Sequence, residues 1–147
     1  MKSTVEVEIA APLDEVSRLL ADPRHSAEWM HDLARYELVS GEPGAVGSTY
    51  RLVPKDGKLI FLATVQERGP AGELRLHLHS PSVDVAITAT LAAIAPDHTR
   101  LVSEEVFTFR GVLSLLVLLA AGPIRASHRR HMEDFKKWVE ERRRQVR

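Results

Sequence analysis

Polar and apolar residues alternate at the start of the chain, from residue 4 to residue 9. Val5, Val7 and Ile9 fall on one side and glutamates fall on the other, because successive side chains of a strand point to opposite faces. The pattern predicts a β-strand with one buried side and one side in water.

The pattern changes at Pro12, which suits the first turn of a helix. Apolar residues then recur on one helical face as far as Leu20, and this helix is predicted to end near Ala21. Asp22 followed by Pro23 repeats a helix-start signal. Two short helices are therefore predicted after the first strand.

Short strand patterns separated by turn residues continue from Arg35 to Arg110. Asp56-Gly57, for example, is typical of a hairpin turn between residues 50–53 and 59–66. Parallel pairing would need crossover helices, and none is indicated in this region. The strands therefore predict an antiparallel meander.

Gly111 ends the predicted sheet, and the pattern that follows is helical. A break or a kink is predicted at Gly122-Pro123, because proline lacks a backbone N–H and its ring clashes with the preceding turn. From Ile124 onward, one face of the helix is apolar and the opposite face is charged. The apolar face comprises His128, His131, Met132, Phe135, Trp138 and Val139. This stripe is expected to pack against the sheet.

The order of these elements resembles the START-like or SRPBCC superfamily, which has the helix-grip fold. The resemblance is carried by residues 5–16, by Leu20-Ala21-Asp22-Pro23 with the nearby Trp29, and by the glycine-rich residues 44–50. Residues 109–113, followed by the long helix, are most similar to the bacterial polyketide cyclase/dehydrase-like branch. The resemblance spans residues 1–147 as one domain. It implies an α+β fold in which a curved antiparallel sheet of about six to seven strands wraps around the last helix.

The resemblance also implies a cavity between the sheet and the helix, which in many relatives holds a lipid, sterol, polyketide or other apolar molecule. Binding of a small apolar ligand is the function we expect first. A cyclase/dehydratase-type enzyme that uses cavity His and Glu side chains as acid and base is the alternative, and a protein- or membrane-interaction module is a further one. The candidate lining residues are Trp29, Tyr50, Leu52, Phe61, Val85, Ile87, Phe107, Phe109, Leu116, Ile124, His128, His131, Met132 and Phe135.

His128 and His131 stand at the centre of the apolar stripe, where a simple core helix would carry leucine or isoleucine. A buried polar group needs a partner. The two histidines are therefore interpreted either as polar contacts to a ligand or as core residues that pair with the sheet, for example with Glu105. A metal site is the weaker interpretation, because no further ligand motif accompanies the pair.

Glu105 lies in phase with Leu101, Phe107 and Phe109 along the last strand. If these side chains point inward, Glu105 is a buried carboxyl with a raised pKa that could act as an acid or base. A bulge that turns it toward water is the alternative. His128, His131 and Glu105 are thus the catalytic candidates.

Two other histidines, His77 and His79, share the face of a strand opposite three leucines, and a solvent-facing position is favoured over a metal site. We expect no metal and no cofactor. The sequence holds no phosphate-binding loop and no set of nucleophile, base and orienting residue, which makes catalysis the weaker alternative.

The residues from Val112 to Ala121 are apolar on every side of a helix. As a helix they would reach only ~15 Å, too short to span a hydrocarbon core of ~30 Å. A core position is the default interpretation of this run. A lid over the cavity, a homodimer contact and a peripheral membrane contact remain alternatives.

Charge is balanced over the whole chain, with 20 Lys and Arg against 20 Asp and Glu, and there is no cysteine. The absence of cysteine excludes disulfides and thiolate metal sites. Residues 125–147 carry a net charge of +5, which suits either a solvated helix face or contact with an anionic surface. Nucleic-acid binding is not expected, because this segment lacks interleaved aromatics. The start of the chain lacks the apolar run of a signal peptide, so a cytoplasmic protein is expected.

Overall fold

The computed structural model describes residues 1–146 and contains one antiparallel sheet of seven strands. The strands are β1 Lys2–Ile9, β2 Leu33–Ser40, β3 Thr49–Pro54, β4 Phe61–Arg68, β5 Leu74–His79, β6 Val83–Ala95 and β7 His98–Phe109. The helices are α1 Leu13–Ala21, α2 Ser26–Trp29 and α3 Val117–Val146, with 3-10 turns at Pro23–His25 and Gly111–Leu115. The arrangement confirms the predicted α+β helix-grip fold.

The strands lie in the order β1-β7-β6-β5-β4-β3-β2, so only the pairing of β1 with β7 joins distant parts of the chain. One face of the sheet is buried along most of its width. For example, Val5 lies opposite Ser103, which lies opposite Ala89, which lies opposite Leu74, and all four are buried. This inner face supplies most of the core.

The second half of α3 closes one end of the inner face. Phe135 and Val139 are fully buried, and the Phe135 ring packs edge-on to Trp29 of α2 at 5.0 Å between centroids. A carboxylate oxygen of Glu140 accepts a hydrogen bond of 2.8 Å from the backbone N–H of Ala10. The helix is therefore fixed to β1 and α2 at this end.

Of the break or kink predicted at Gly122-Pro123, the break is wrong, because the helix is continuous there. The break comes earlier, where a 3-10 turn ends at Leu115, and α3 then runs from Val117 to Val146 with Pro123 inside it. Pro123 removes the hydrogen bond to the carbonyl of Leu119. The side chain of Leu119 is 78% exposed, and water beside this part of the helix is available to the freed carbonyl.

The default interpretation of the run from Val112 to Ala121 as core is also wrong. Leu115 and Leu118 are 83% and 88% exposed, and Leu116 is 48% exposed. The sheet and the second half of α3 complete the core without these residues. No helix among residues 1–146 is both long enough and apolar enough to cross a membrane.

Candidate functional site

Burial falls steadily along α3 from its C-terminal half to its start. Val139 and Phe135 are fully buried and His128 is 1% exposed, whereas Ile124 on the same face is only half-buried and Leu118 is 88% exposed. The first turns of α3 therefore leave part of the inner face of the sheet uncovered.

The uncovered part of the inner face is apolar. Leu76 of β5, Ile87 of β6 and Phe107 of β7 point toward the helix side of the sheet, yet each is only partly buried. Phe109 continues the row, and its ring stacks on that of Phe107 at 6.2 Å. We call this region, formed by Leu76, Ile87, Glu105, Phe107 and Phe109 of the sheet with Ile124 of α3, the apolar cleft.

Glu105 lies in the apolar cleft, between Ser3 of β1 and Ile87 of β6 in the sheet register. Its carboxyl is 16% exposed, and Oε1 lies 3.7 Å from Nδ1 of His128. Among residues 1–146, no hydrogen bond reaches the carboxyl, and burial raises the pKa of Glu105 to about 7. The strand contains no bulge here, so the inward alternative of the sequence analysis is the one observed.

His128 lies beside the cleft but is enclosed by hydroxyl groups. Its Nδ1 is 2.8 Å from the Ser3 hydroxyl oxygen, and its Nε2 is 2.9 Å from the Ser103 hydroxyl oxygen. Burial, followed by the positive charges of His131 and Arg129, lowers the pKa of His128 to about 4. The ring is therefore neutral at pH 7, with one nitrogen donating and the other accepting.

His131 faces away from the apolar cleft toward the segment between α2 and β2. Its Nε2 lies 3.0 Å and 3.1 Å from the two carboxylate oxygens of Asp32. The neighbouring His31 lies 3.8 Å from the carboxylate of Asp134 on α3. These two pairs connect the α2–β2 segment to the middle of α3. We therefore interpret His131 as a residue that stabilises the fold.

The remaining candidate lining residues divide into three groups. Phe61 is half-buried at the start of β4, and Leu116 lies on the exposed surface instead of in the cleft. The others are packed in the core, namely Trp29, Tyr50, Leu52, Val85, Met132 and Phe135. The cleft is thus smaller than the sequence predicts, because α2 and the second half of α3 fill much of the space over the sheet.

Three inward residues, Ser3, Ser103 and Tyr36, are absent from the residues predicted to face inward. Ser3 and Ser103 hold His128, and both stand in phase with buried residues of their strands, a signal that was available in the sequence. Leu76, one of the three leucines opposite His77 and His79, faces inward as predicted and is an addition to the candidate lining residues. Tyr36 of β2 is partly buried beside Tyr50, with 5.1 Å between ring centroids, and burial raises the pKa of its hydroxyl.

The outer face of the sheet carries a separate polar cluster. His79 Nδ1 lies 2.8 Å from a carboxylate oxygen of Asp84, His77 lies 3.5 Å from the other, and Arg110 also pairs with Asp84. The Arg110 guanidinium, as the main cause, holds the pKa of Asp84 below its usual range. Over residues 1–146, no three His, Asp or Glu side chains are grouped so that they could hold a metal ion.

A surface groove of ≈ 600 Å³ lies between α1 and the loops that follow β2 and β4. Two of its three arginines are engaged, since Arg24 donates to Asp22 and Arg68 donates to the carbonyl oxygen of Gly44 at 2.6 Å, and Arg18 is the third. None of the residues that line this groove belongs to the apolar cleft.

Several solved structures share this architecture. The Zhui aromatase/cyclase from Streptomyces sp. R1128 superposes with a TM-score of 0.83 at 17% identity, over 100% of this chain and 96% of that one. A START superfamily protein from Mycobacterium smegmatis gives 0.76 at 14% identity, over 99% of both chains. A point mutant of norcoclaurine synthase from Thalictrum flavum, in complex with a transition-state analogue, gives 0.74 at 14% identity, over 97% of this chain and 96% of that one.

At sequence identities of 14–17%, the structural similarity establishes that this chain shares the fold of these proteins. No curated protein sequence matches the chain. Residues 1–140, in contrast, match the model of the family described as polyketide cyclase / dehydrase and lipid transport. The match covers the sheet and most of α3, and the chain belongs to this polyketide cyclase / dehydrase and lipid transport family.

Proposed function

We propose that the protein binds a small apolar molecule that carries a carbonyl or hydroxyl group, and that it binds this molecule in the apolar cleft. One observation carries the proposal: inward-facing apolar side chains remain partly exposed around a single carboxyl that has no hydrogen-bond partner among residues 1–146. Such a combination of apolar walls with one orienting polar group is typical of small-molecule sites.

The apolar walls supply the binding energy in this proposal. Leu76, Ile87 and Phe107 already have one side against the core, so a ligand would remove their remaining contact with water. Covering about 200 Å² of apolar surface contributes about 5 kcal/mol before the entropic costs of binding. This gain is no larger than the lower end of the entropic costs, so the polar contact to Glu105 has to contribute to the affinity as well.

Glu105 supplies the orientation. Below its pKa of about 7 the protonated carboxyl donates a hydrogen bond to a carbonyl, and above that pKa the carboxylate accepts one from a hydroxyl. The family description, which joins polyketide cyclases and dehydrases with lipid transport, agrees with ligands of this apolar, oxygen-bearing kind.

Titration with the neutral fluorescent probe N-phenyl-1-naphthylamine tests binding. Wild-type protein is expected to bind the probe, and Ile87→Trp, which fills the cleft, is expected to bind it at least about tenfold more weakly. Ile94→Trp is the matched control, because Ile94 is 41% exposed near the other end of β6. Equal binding by all three proteins, or no binding by wild type, would contradict the proposal.

Acid–base catalysis on a bound ketone is the second candidate function. The observation that favours it is the pKa of Glu105, which at about 7 lies close to neutral pH, where general acids and bases are most effective. The Glu105 carboxylate would take the proton from the carbon beside a carbonyl, leaving an enolate, and the resulting carboxylic acid would return a proton to that carbon.

Deuterium exchange detects this step without knowledge of the natural substrate. In heavy water, the protons beside the carbonyl of 2-tetralone should exchange faster with the protein than without it, and the rate should rise as the pH passes through about 7. Glu105→Gln should abolish the acceleration. Glu104→Gln, which changes the outward-facing neighbour paired with Lys2, should retain the acceleration. Equal loss of the acceleration in both variants would show that Glu105 does not take the proton.

A further inference from the structure

The start of α3 and the 3-10 turn before it form an exposed apolar surface. Six exposed large apolar residues occur within eight positions, and we call them the apolar tip: Val112, Leu113, Leu115, Leu116, Leu118 and Leu119. Their exposed fractions run from 37% at Leu113 to 88% at Leu118. Single exposed apolar residues are ordinary, but a contiguous group of this size marks an interaction surface.

Positive charge surrounds the apolar tip. Between Glu105 and Glu133 the sequence contains four arginines and no acidic residue. Arg110 lies two positions before the tip and is paired with Asp84, whereas Arg125, Arg129 and Arg130 follow the tip at exposed positions of α3.

The arginines share helical faces with the leucines of the tip. Arg125 is seven residues beyond Leu118, and Arg130 is eleven beyond Leu119, so each arginine returns to nearly the same side of the helix. Along the helix axis Arg125 stands ~10 Å from Leu118. An apolar end with cations about two to three helical turns behind it matches the boundary between acyl chains and anionic headgroups.

A second copy of the chain fits this surface less well. A two-fold contact places the same patch on both sides, and the arginines around one tip would then face those around the other. Of the arginines that follow the tip, Arg129 lies 3.8 Å from Glu133, whereas Arg125 and Arg130 have no carboxylate partner among residues 1–146. An anionic surface offers the missing negative charge together with an apolar interior.

We propose that the apolar tip docks the protein onto an anionic lipid bilayer, with its leucines among the acyl chains and Arg125, Arg129 and Arg130 at the headgroups. The tip follows directly after the end of β7, where Phe107 and Phe109 form part of the apolar cleft. Docking therefore brings this end of the cleft toward the membrane. The docking surface itself stands whether or not the cleft binds a ligand.

Sedimentation with vesicles tests the docking surface. Wild-type protein should pellet with vesicles of equal parts phosphatidylcholine and phosphatidylglycerol, and should remain largely in the supernatant with phosphatidylcholine alone. The double variant Leu118→Ser/Leu119→Ser should lower the affinity for the mixed vesicles at least about tenfold. Ile94→Ser, at an exposed position near the end of β6, is the matched control and should bind as wild type does.

Separate variants test the contribution of the arginines to vesicle binding. Arg125→Gln/Arg130→Gln should weaken binding to the mixed vesicles by about fivefold for each charge removed, and raised salt should weaken wild type in the same direction. Arg144→Gln is the control, since Arg144 is exposed near the far end of α3. All changed side chains are exposed, so thermal unfolding should remain as in wild type and loss of the fold is separated from loss of docking.

Two results would overturn the proposal. One is failure of wild type to pellet with the mixed vesicles, or equal binding by wild type and the double leucine variant. The other is a concentration-dependent dimer in sedimentation velocity that Leu118→Ser/Leu119→Ser abolishes, which would assign the tip to a second copy of this chain.

Discussion

The two ends of the interface between α3 and the sheet differ in what they bury. At the closed end, Val7, Leu101, Phe135 and Val139 are no more than 7% exposed and form continuous core. At the open end, Ile87, Phe107 and Ile124 have the same inward direction but remain partly exposed. One helix therefore provides stability with its second half and leaves space for a ligand with its first.

The boundary between the two ends is polar. His128 is satisfied by Ser3 and Ser103 and is kept neutral by burial, whereas Glu105 has no such partners and faces the apolar cleft. Two buried titratable groups 3.7 Å apart thus have different roles. The histidine fixes α3 to β1 and β7, and the carboxyl remains available for chemistry.

The largest expected effect is on stability at the closed end. Phe135→Ala should lower the free energy of unfolding by about 3–5 kcal/mol, because a fully buried ring leaves a cavity. Ile124→Ala, on the same face of α3 at the open end, should cost less than about 1 kcal/mol, since its side chain is already partly in water. Urea unfolding measures both, and similar losses would show that the two ends are packed alike.

The titration of Glu105 should appear in the pH dependence of stability. Its pKa in the folded protein, about 7, is raised above the ordinary 4.5, so its contribution is complete below pH 4.5 and is lost as the pH rises through about 7. Lowering the pH across this range should stabilise wild type relative to Glu105→Gln by about 3 kcal/mol. Urea unfolding of both proteins at several pH values provides the comparison, and parallel pH curves would contradict the buried position of the carboxyl.

His128 affects the pH dependence of stability in the opposite direction. Its pKa of about 4 lies below the ordinary 6.5, so its contribution is complete above pH 6.5 and is lost as the pH falls through about 4. Between pH 4.5 and pH 6.5, Glu105 and His128 therefore change the free energy of unfolding with pH in opposite directions. Glu105→Gln should therefore lose stability on acidification more steeply than wild type does.

The smallest expected effect is the difference in stability cost between substitutions of the two histidines of α3. His128→Leu should cost about 1–3 kcal/mol, because the buried hydroxyls of Ser3 and Ser103 lose their shared partner. His131→Leu breaks only the pair with Asp32, whose side chain is 64% exposed, and should cost less than about 1 kcal/mol. Thermal unfolding of the two variants measures this difference, and equal costs would show that His128 is not held by the serines.

Much of the fold follows from the sequence because strand and helix periodicities record which side of each element is buried. The alternation from Val5 to Ile9 and the inward phase of Glu105 both correspond to the structure. The order of elements and the resemblance to the START-like superfamily provided the topology that periodicity alone leaves open.

The errors concern how far α3 reaches over the sheet. The apolar composition of residues 112–119 favoured a core position, but burial depends on whether an opposing surface is close, and periodicity holds no such information. Pro123 predicts a break or a kink, yet the helix does not break, because one lost hydrogen bond is tolerated where water reaches the backbone. The partners of His128 were missed because small serines in an inward phase carry little pattern signal.

Methyl-resolved NMR tests the difference between the two ends most directly. Addition of N-phenyl-1-naphthylamine should shift the methyl resonances of Ile87, Leu76 and Ile124, while those of Val7, Leu101 and Val139 should stay in place. Shifts confined to surface residues such as Leu118, or shifts of equal size at both ends, would contradict a ligand site in the apolar cleft.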